Sequence, residues 1–139
     1  MGERAAFAII FDDITKGAEE ANSESTHKSI YNKWNIEWFN RHDGEKCKFI
    51  FVGTQKTSED ILNRIITDRN KVSNLINTDN PYAMESKDKS TVVIRVPMLD
   101  DNHKTTFSEV YPQDFAEQIE RNTDQFLFSC IYQQCPIAL

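Results

Sequence analysis

The stretch Ala5-Ala6-Phe7-Ala8-Ile9-Ile10-Phe11-Asp12-Asp13 decides how this chain is read. It is an apolar run that ends abruptly in two carboxylates. A continuous rather than alternating run fits a central strand of a parallel sheet, buried on both faces. An acid at the edge of low-dielectric walls is costly unless a cation or hydrogen bonds satisfy it, and α/β proteins use such acids to place a metal beside a phosphate. Adjacent residues of a strand point to opposite faces, so at most one of the two acids faces a given site. Further on, Lys48-Phe49-Ile50-Phe51-Val52-Gly53-Thr54 has the same form, an apolar strand ending in a polar switch.

Between these strands lies a polar loop, Thr15 to Thr26, and then a predicted helix from Ser25 or Thr26 to Arg41. Ile30, Trp34 and Trp38 recur every four residues there, beside Tyr31 and Phe39, and form one apolar face. His42-Asp43-Gly44-Glu45 is a stop and turn signal. Thr57-Ser58-Glu59-Asp60 reads as a capping box, with Thr57 at the cap and Asp60 reaching back. The helix behind it carries Ile61, Leu62, Ile65 and Ile66 and extends toward Val72 to Ile76. Asn77 to Lys89, with Pro81, reads as a loop. Thr91 to Val96 is a β-branched third strand stopped by Pro97. Asp100 to Thr106 is a loop, Pro112 opens a helix bearing Phe115 and Ile119, and Gln125 to Gln134 reads as a last helix. This order predicts an α/β fold with a mainly parallel sheet flanked by helices.

A length of 139 residues predicts one domain with a core that needs no disulfides. The net charge of -6 argues against coating DNA by bulk electrostatics, because phosphate neutralisation needs Lys and Arg in excess. The three cysteines, Cys47, Cys130 and Cys135, are odd in number and lack metal-ligand spacing, so they read as reduced thiols. The apolar run Ala5 to Phe11 is too short for a signal core or a membrane span, which predicts a soluble, intracellular protein. His27, His42 and His103 sit in polar surroundings and read as surface groups. Trp34 and Trp38 read as core. Arg64 and Arg69 read as solubilising helix residues.

With these elements placed, the chain resembles the large subunit of tailed-phage terminases, the DNA-packaging motor. Phe7-Ala8-Ile9-Ile10-Phe11-Asp12-Asp13 looks like the family's Walker B strand, and Glu19 to Ser23 resembles the charged segment that follows it. Phe49 to Thr54, followed by Ser58 to Leu62, looks like the coupling strand and its helix. Ile94-Arg95-Val96-Pro97 and Phe126 to Pro136 resemble the strand-proline and the aromatic-glutamine-proline signature near the domain's end. Gln55 and Lys56 depart from the aromatic and histidine of many relatives. Asp13 stands where a glutamate is more usual.

The resemblance implies a partial P-loop NTPase-like layer fold of the RecA/ASCE type, lacking its Walker A strand. Residues 1–97 would be the sheet-and-helix core and 98–139 a helical region leading to a nuclease domain. Asp12 would be the metal-side acid and bind the cofactor, Asp13 would orient the attacking water, and Gly53 and Thr54 would contact the nucleotide, with Thr54 reporting the γ-phosphate. The implied cofactors are Mg2+ and ATP. The parent's implied partners are double-stranded DNA, a portal protein and a small terminase subunit. No Gly-Lys-Ser/Thr loop precedes Asp12, and Gly2, Gly17, Gly44 and Gly53 are the only glycines. The phosphate cradle is therefore missing, and the chain alone is expected to be inactive and to bind neither cofactor. Two alternatives stand beside this one. The chain could be a non-catalytic interaction module, prone to self-association through an open sheet edge. It could also be a magnesium-dependent phosphohydrolase using Asp12, although the Asp-x-Asp spacing of one such class is absent.

Overall fold

The computed structural model describes residues 4–13, 23–38, 41, 44, 46–54, 57 and 60–135, and for residues 38 and 69–73 the backbone only. The readings placed on residues 14–22, Phe39, His42, Gln55, Lys56 and Pro136, and on the Trp38 and Arg69 side chains, lie outside these. The architecture is mixed α/β. Strand β1 (Ala8–Asp12) and strand β2 (Lys48–Val52) pair in parallel, with Ala8 opposite Lys48 and Asp12 opposite Val52. Helix α1 (Glu24–Lys33) links them and runs on as a π-helical turn, Trp34–Trp38. Ser23 caps α1, its hydroxyl accepting from the Thr26 amide at 3.2 Å.

Trp34 holds this unit together. Its ring meets Phe11, Phe49 and Phe51 edge-on at centroid distances of 5.7, 5.3 and 5.1 Å. Phe11 and Phe51 stack at 4.7 Å. These are the favoured geometries for rings with negative faces and positive edges. The other face of the pair is open: Ile10, Ile50 and Val52 are 65%, 41% and 54% exposed. The prediction that β1 is buried on both faces is therefore corrected, because one layer of side chains covers the sheet on one side only.

Helix α2 (Ile61–Ser73) follows β2. It joins α1 through the Tyr31 hydroxyl, which donates to Asp68, and through the Arg64 guanidinium, stacked 3.9 Å from the centre of the Tyr31 ring. The predicted capping box is displaced by one turn. Asp60, not Thr57, is the cap: its Oδ1 accepts from the Asn63 amide at 3.0 Å, and its carbonyl accepts from the Arg64 amide at 3.0 Å.

The third strand does not extend the parallel pair. Strands β3 (Leu75–Asn77), β4 (Ala83–Ser86) and β5 (Val92–Ile94) form a separate antiparallel meander in that order. The polar stretch read as a loop is two hairpin turns and a strand. In the first turn, Asn80 Oδ1 accepts from the Tyr82 amide at 2.9 Å and the Thr78 hydroxyl donates to the Ala83 carbonyl at 3.0 Å. In the second, Asp88 Oδ1 accepts from the Ser86 and Ser90 hydroxyls, both at 2.6 Å. Short polar side chains imitate backbone hydrogen bonds in turns, which is why a polar run closes hairpins.

Helices α3 (Gln113–Asn122) and α4 (Gln125–Ile131) complete the chain. They pack on the segment after β5, where Met98, Leu99, Ala116 and Phe128 form a buried cluster flanked by Tyr111, Ile119 and Tyr132. Among the described residues no helix is long and apolar enough to cross a membrane. All three cysteines are free thiols. His27 is buried rather than at the surface, 9% exposed, with its Nε2 lacking a hydrogen-bond partner among the described residues.

Candidate functional site

Parallel pairing puts the C-terminal ends of β1 and β2 at one rim, so Asp12-Asp13 and Gly53-Thr54 emerge side by side. The ladder continues past the strands: the Asp13 amide donates to the Val52 carbonyl at 2.9 Å. Asp13 then turns into the left-handed region, φ 46°. Aspartate is one of the few side chains that visit this region readily. The turn brings its backbone against Gly53, where an added Cβ would lie 3.5 Å from the Asp13 Cα. That is ordinary van der Waals contact, so the approach is close but not clashing.

Asp13 and Thr54 line one small cavity together with Phe11, Gly53 and Asp60. Its volume of about 10 Å³ suits roughly one water molecule. Asp12 does not line it. Phe11 points inward and is buried, so the next residue points to the other face, where Asp12 is exposed. Three of the predicted site residues, Asp13, Gly53 and Thr54, thus meet, while Asp12 shares the rim but faces away.

Asp60 is the residue that sequence reasoning missed. It is 2% exposed, caps α2, and lines the same cavity as Asp13. An aspartate directly before the apolar run Ile61-Leu62 was the available signal, masked by the better-matching Thr57 upstream. Helix α4 brings Cys130, fully buried, into electrostatic reach of Asp60. Burial holds the Cys130 thiol above its usual range. Its hydrogen bond with Ser129 lowers it, and the Asp60 charge pushes it further up.

Among the described residues no three His, Cys, Asp or Glu side chains gather closely enough to hold a metal ion. A cavity the size of one water does not admit a triphosphate, and among the described residues no glycine-rich turn of backbone amides stands beside it. Among the described residues the rim carries neither a phosphate cradle nor a metal-ligand cluster. Asp13, Thr54 and buried Asp60 share with Phe11, Val52, Ile61 and Leu62 the lining of a space for about one water.

No protein-family model, curated protein or solved structure matches this chain.

Proposed function

We propose that this chain is one side of the nucleotide pocket of a DNA-packaging ATPase of the terminase large-subunit kind, active in the host cytoplasm, and that it is inactive alone. The observation that carries the reading is the parallel register of β1 and β2, which sets Asp13 and Thr54 on one cavity at one rim. Phosphoryl transfer depends chiefly on positioning and electrostatic stabilisation, so an acid to orient water beside a hydroxyl to sense phosphate is a useful half of such a site. Asp12, exposed on the outer face of the same strand end, is the residue placed to meet a hydrated cation from solvent. Magnesium and ATP belong to the completed parent, as do DNA, the portal protein and the small subunit.

The test uses the longer reading frame in which this chain would be embedded. DNA-stimulated ATP turnover by that protein should fall at least about 10²-fold in kcat on Asp13→Ala, with KM nearly constant. An unchanged kcat rejects the assignment. Turnover by the isolated chain that vanishes on Asp12→Ala would instead reject the claim of inactivity.

A second reading, a non-catalytic interaction module, is favoured by the uncovered apolar face of Ile10, Ile50 and Val52. Concentration-dependent sedimentation decides it: self-association abolished by Ile10→Lys supports this reading, and a strictly monomeric chain counts against it.

A further inference from the structure

A cavity of about 1420 Å³ lies between β2, α2 and β5. It follows β2 from Lys46 and Lys48 at one end to Gly53 at the other. At about 3.3 Å per extended residue, this makes a trough on the order of 20 Å long. Its walls are largely apolar. Phe7, Ile50, Val92 and Ile94 line it and are exposed, and α2 adds Leu62 and Ile65. Apolar surface left in water is a standing free-energy cost, which an apolar occupant removes.

The two ends of the trough differ in charge. Lys46 and Lys48 stand at the start of β2. The Lys48 ammonium lies 5.9 Å from the centre of the Phe7 ring, so a cation and an apolar wall adjoin there. Such a lysine lays its stem along apolar surface and keeps its charge at the edge. At the other end Asp12 pairs with Val52, and the Asp13 amide donates to the Val52 carbonyl, which sets the acid pair at the Gly53 end. Arg95 also lines the trough. Among its described lining residues there is no carboxylate, in a chain of net charge -6. The field therefore draws an anion toward Lys46 and Lys48 and keeps it from the acid rim.

The geometry points to a long-chain fatty acid as the ligand, with its carboxylate at Lys46 and Lys48 and its tail laid along β2 toward Leu62. The volume exceeds the roughly 300–1,000 Å³ of clefts for compact small molecules, so the shape suits a long, flexible occupant. Each methylene laid on the walls leaves water. The carboxylate gains ammonium donors in charge-assisted hydrogen bonds that an uncharged head group cannot match. A cationic amphiphile would instead set its charge against the two lysines. Such binding uses side chains and is independent of nucleotide chemistry at the rim.

The probe is a polyene fatty acid whose fluorescence rises in apolar surroundings, added below its micellar concentration to the full chain without nucleotide or magnesium. It should bind saturably, and palmitate should displace it. Palmitate should compete at least about tenfold better than hexadecanol, the difference between a charged and a neutral hydrogen-bonded head group. Octanoate, with fewer methylenes to bury, should compete less well than palmitate. These comparisons use the unaltered protein, so they hold whether or not a variant folds. Lys46→Glu combined with Lys48→Glu, both at exposed positions, should abolish the preference for palmitate over hexadecanol, while Lys104→Glu should leave it unchanged. Absence of saturable binding, equal displacement by the acid and the alcohol, or an unchanged preference in the double variant overturns the proposal. So does a dimer, seen by sedimentation, that excludes the probe, because a second copy would then be the occupant.

Discussion

Gln133 closes both hydrogen bonds of the Leu99 backbone. Its Nε2 donates to the Leu99 carbonyl at 2.9 Å, and its Oε1 accepts from the Leu99 amide at 3.0 Å. Leu99 is 3% exposed and sits in the buried cluster under α3 and α4. A side-chain amide here does the work of a neighbouring strand, which is how the end of α4 is tied to the segment after β5. Gln133→Ala leaves a buried donor and a buried acceptor unsatisfied and should cost about 1–3 kcal/mol. Urea titration measures this against Gln125→Ala, an exposed control, and equal midpoints for the two variants would show that the amide contributes nothing.

The cap of α2 is the second place where one side chain supports many. Asp60→Ala should destabilise the chain by about 0.5–2 kcal/mol, whereas Asp60→Asn, which keeps the accepting oxygen, should cost less. Amide exchange in the first turn of α2 reports the difference. If both variants exchange alike, the cap is not what holds that turn.

Cys130 predicts an alkaline loss of stability. Burial raises its pKa in the folded chain, so the folded state holds the proton at pH values where the unfolded state has released it. The contribution is complete below the ordinary thiol value of 9.0 and is lost as pH rises from there through the folded value. Unfolding free energy measured between neutral pH and pH 11 should fall more steeply for the unaltered chain than for Cys130→Ala. Parallel curves would refute the linkage. The same burial predicts slow alkylation of Cys130 compared with exposed Cys135.

Trp34 is the keystone of the parallel pair. Trp34→Ala removes the ring contacts with Phe11, Phe49 and Phe51 and should cost about 3 kcal/mol, at the low end for a large aromatic because the side chain is only partly buried. Trp34→Phe keeps part of the edge-to-face packing and should lose less. Thermal unfolding compares them, and similar losses would mean that a smaller ring recovers none of this packing.

Left-handed backbone at Asp13 gives a prediction at the rim itself. Asp13→Gly should leave stability near that of the unaltered chain, because glycine takes φ 46° without strain. Asp13→Val, branched at Cβ, should lose about 1–3 kcal/mol. Equal stability of the two would argue that the rim relaxes when its acid is removed.

Much of the local structure was legible in the residues. Apolar runs marked β1 and β2, four-residue spacing placed Trp34 on the covered face, and Pro112 marked the start of α3. The β3–β4–β5 meander was not legible. Its turns are built from Thr78, Asn80, Ser86 and Asp88, and polar residues that fold back on their own backbone look in sequence like a solvated loop. Asp60 was hidden for a related reason: two cap candidates three residues apart match the same pattern, and only packing chooses between them.

Composition and periodicity were enough to settle that strands and helices alternate early in the chain and that an acid pair terminates a strand, since each follows from the chemistry of near neighbours. Which edge met which edge depended on contacts between distant residues. Tertiary packing alone set Asp13, but not Asp12, on the small cavity that Thr54 and buried Asp60 also line, because the pairing of strands is selected by the total surface each arrangement buries and not by any one segment's preference.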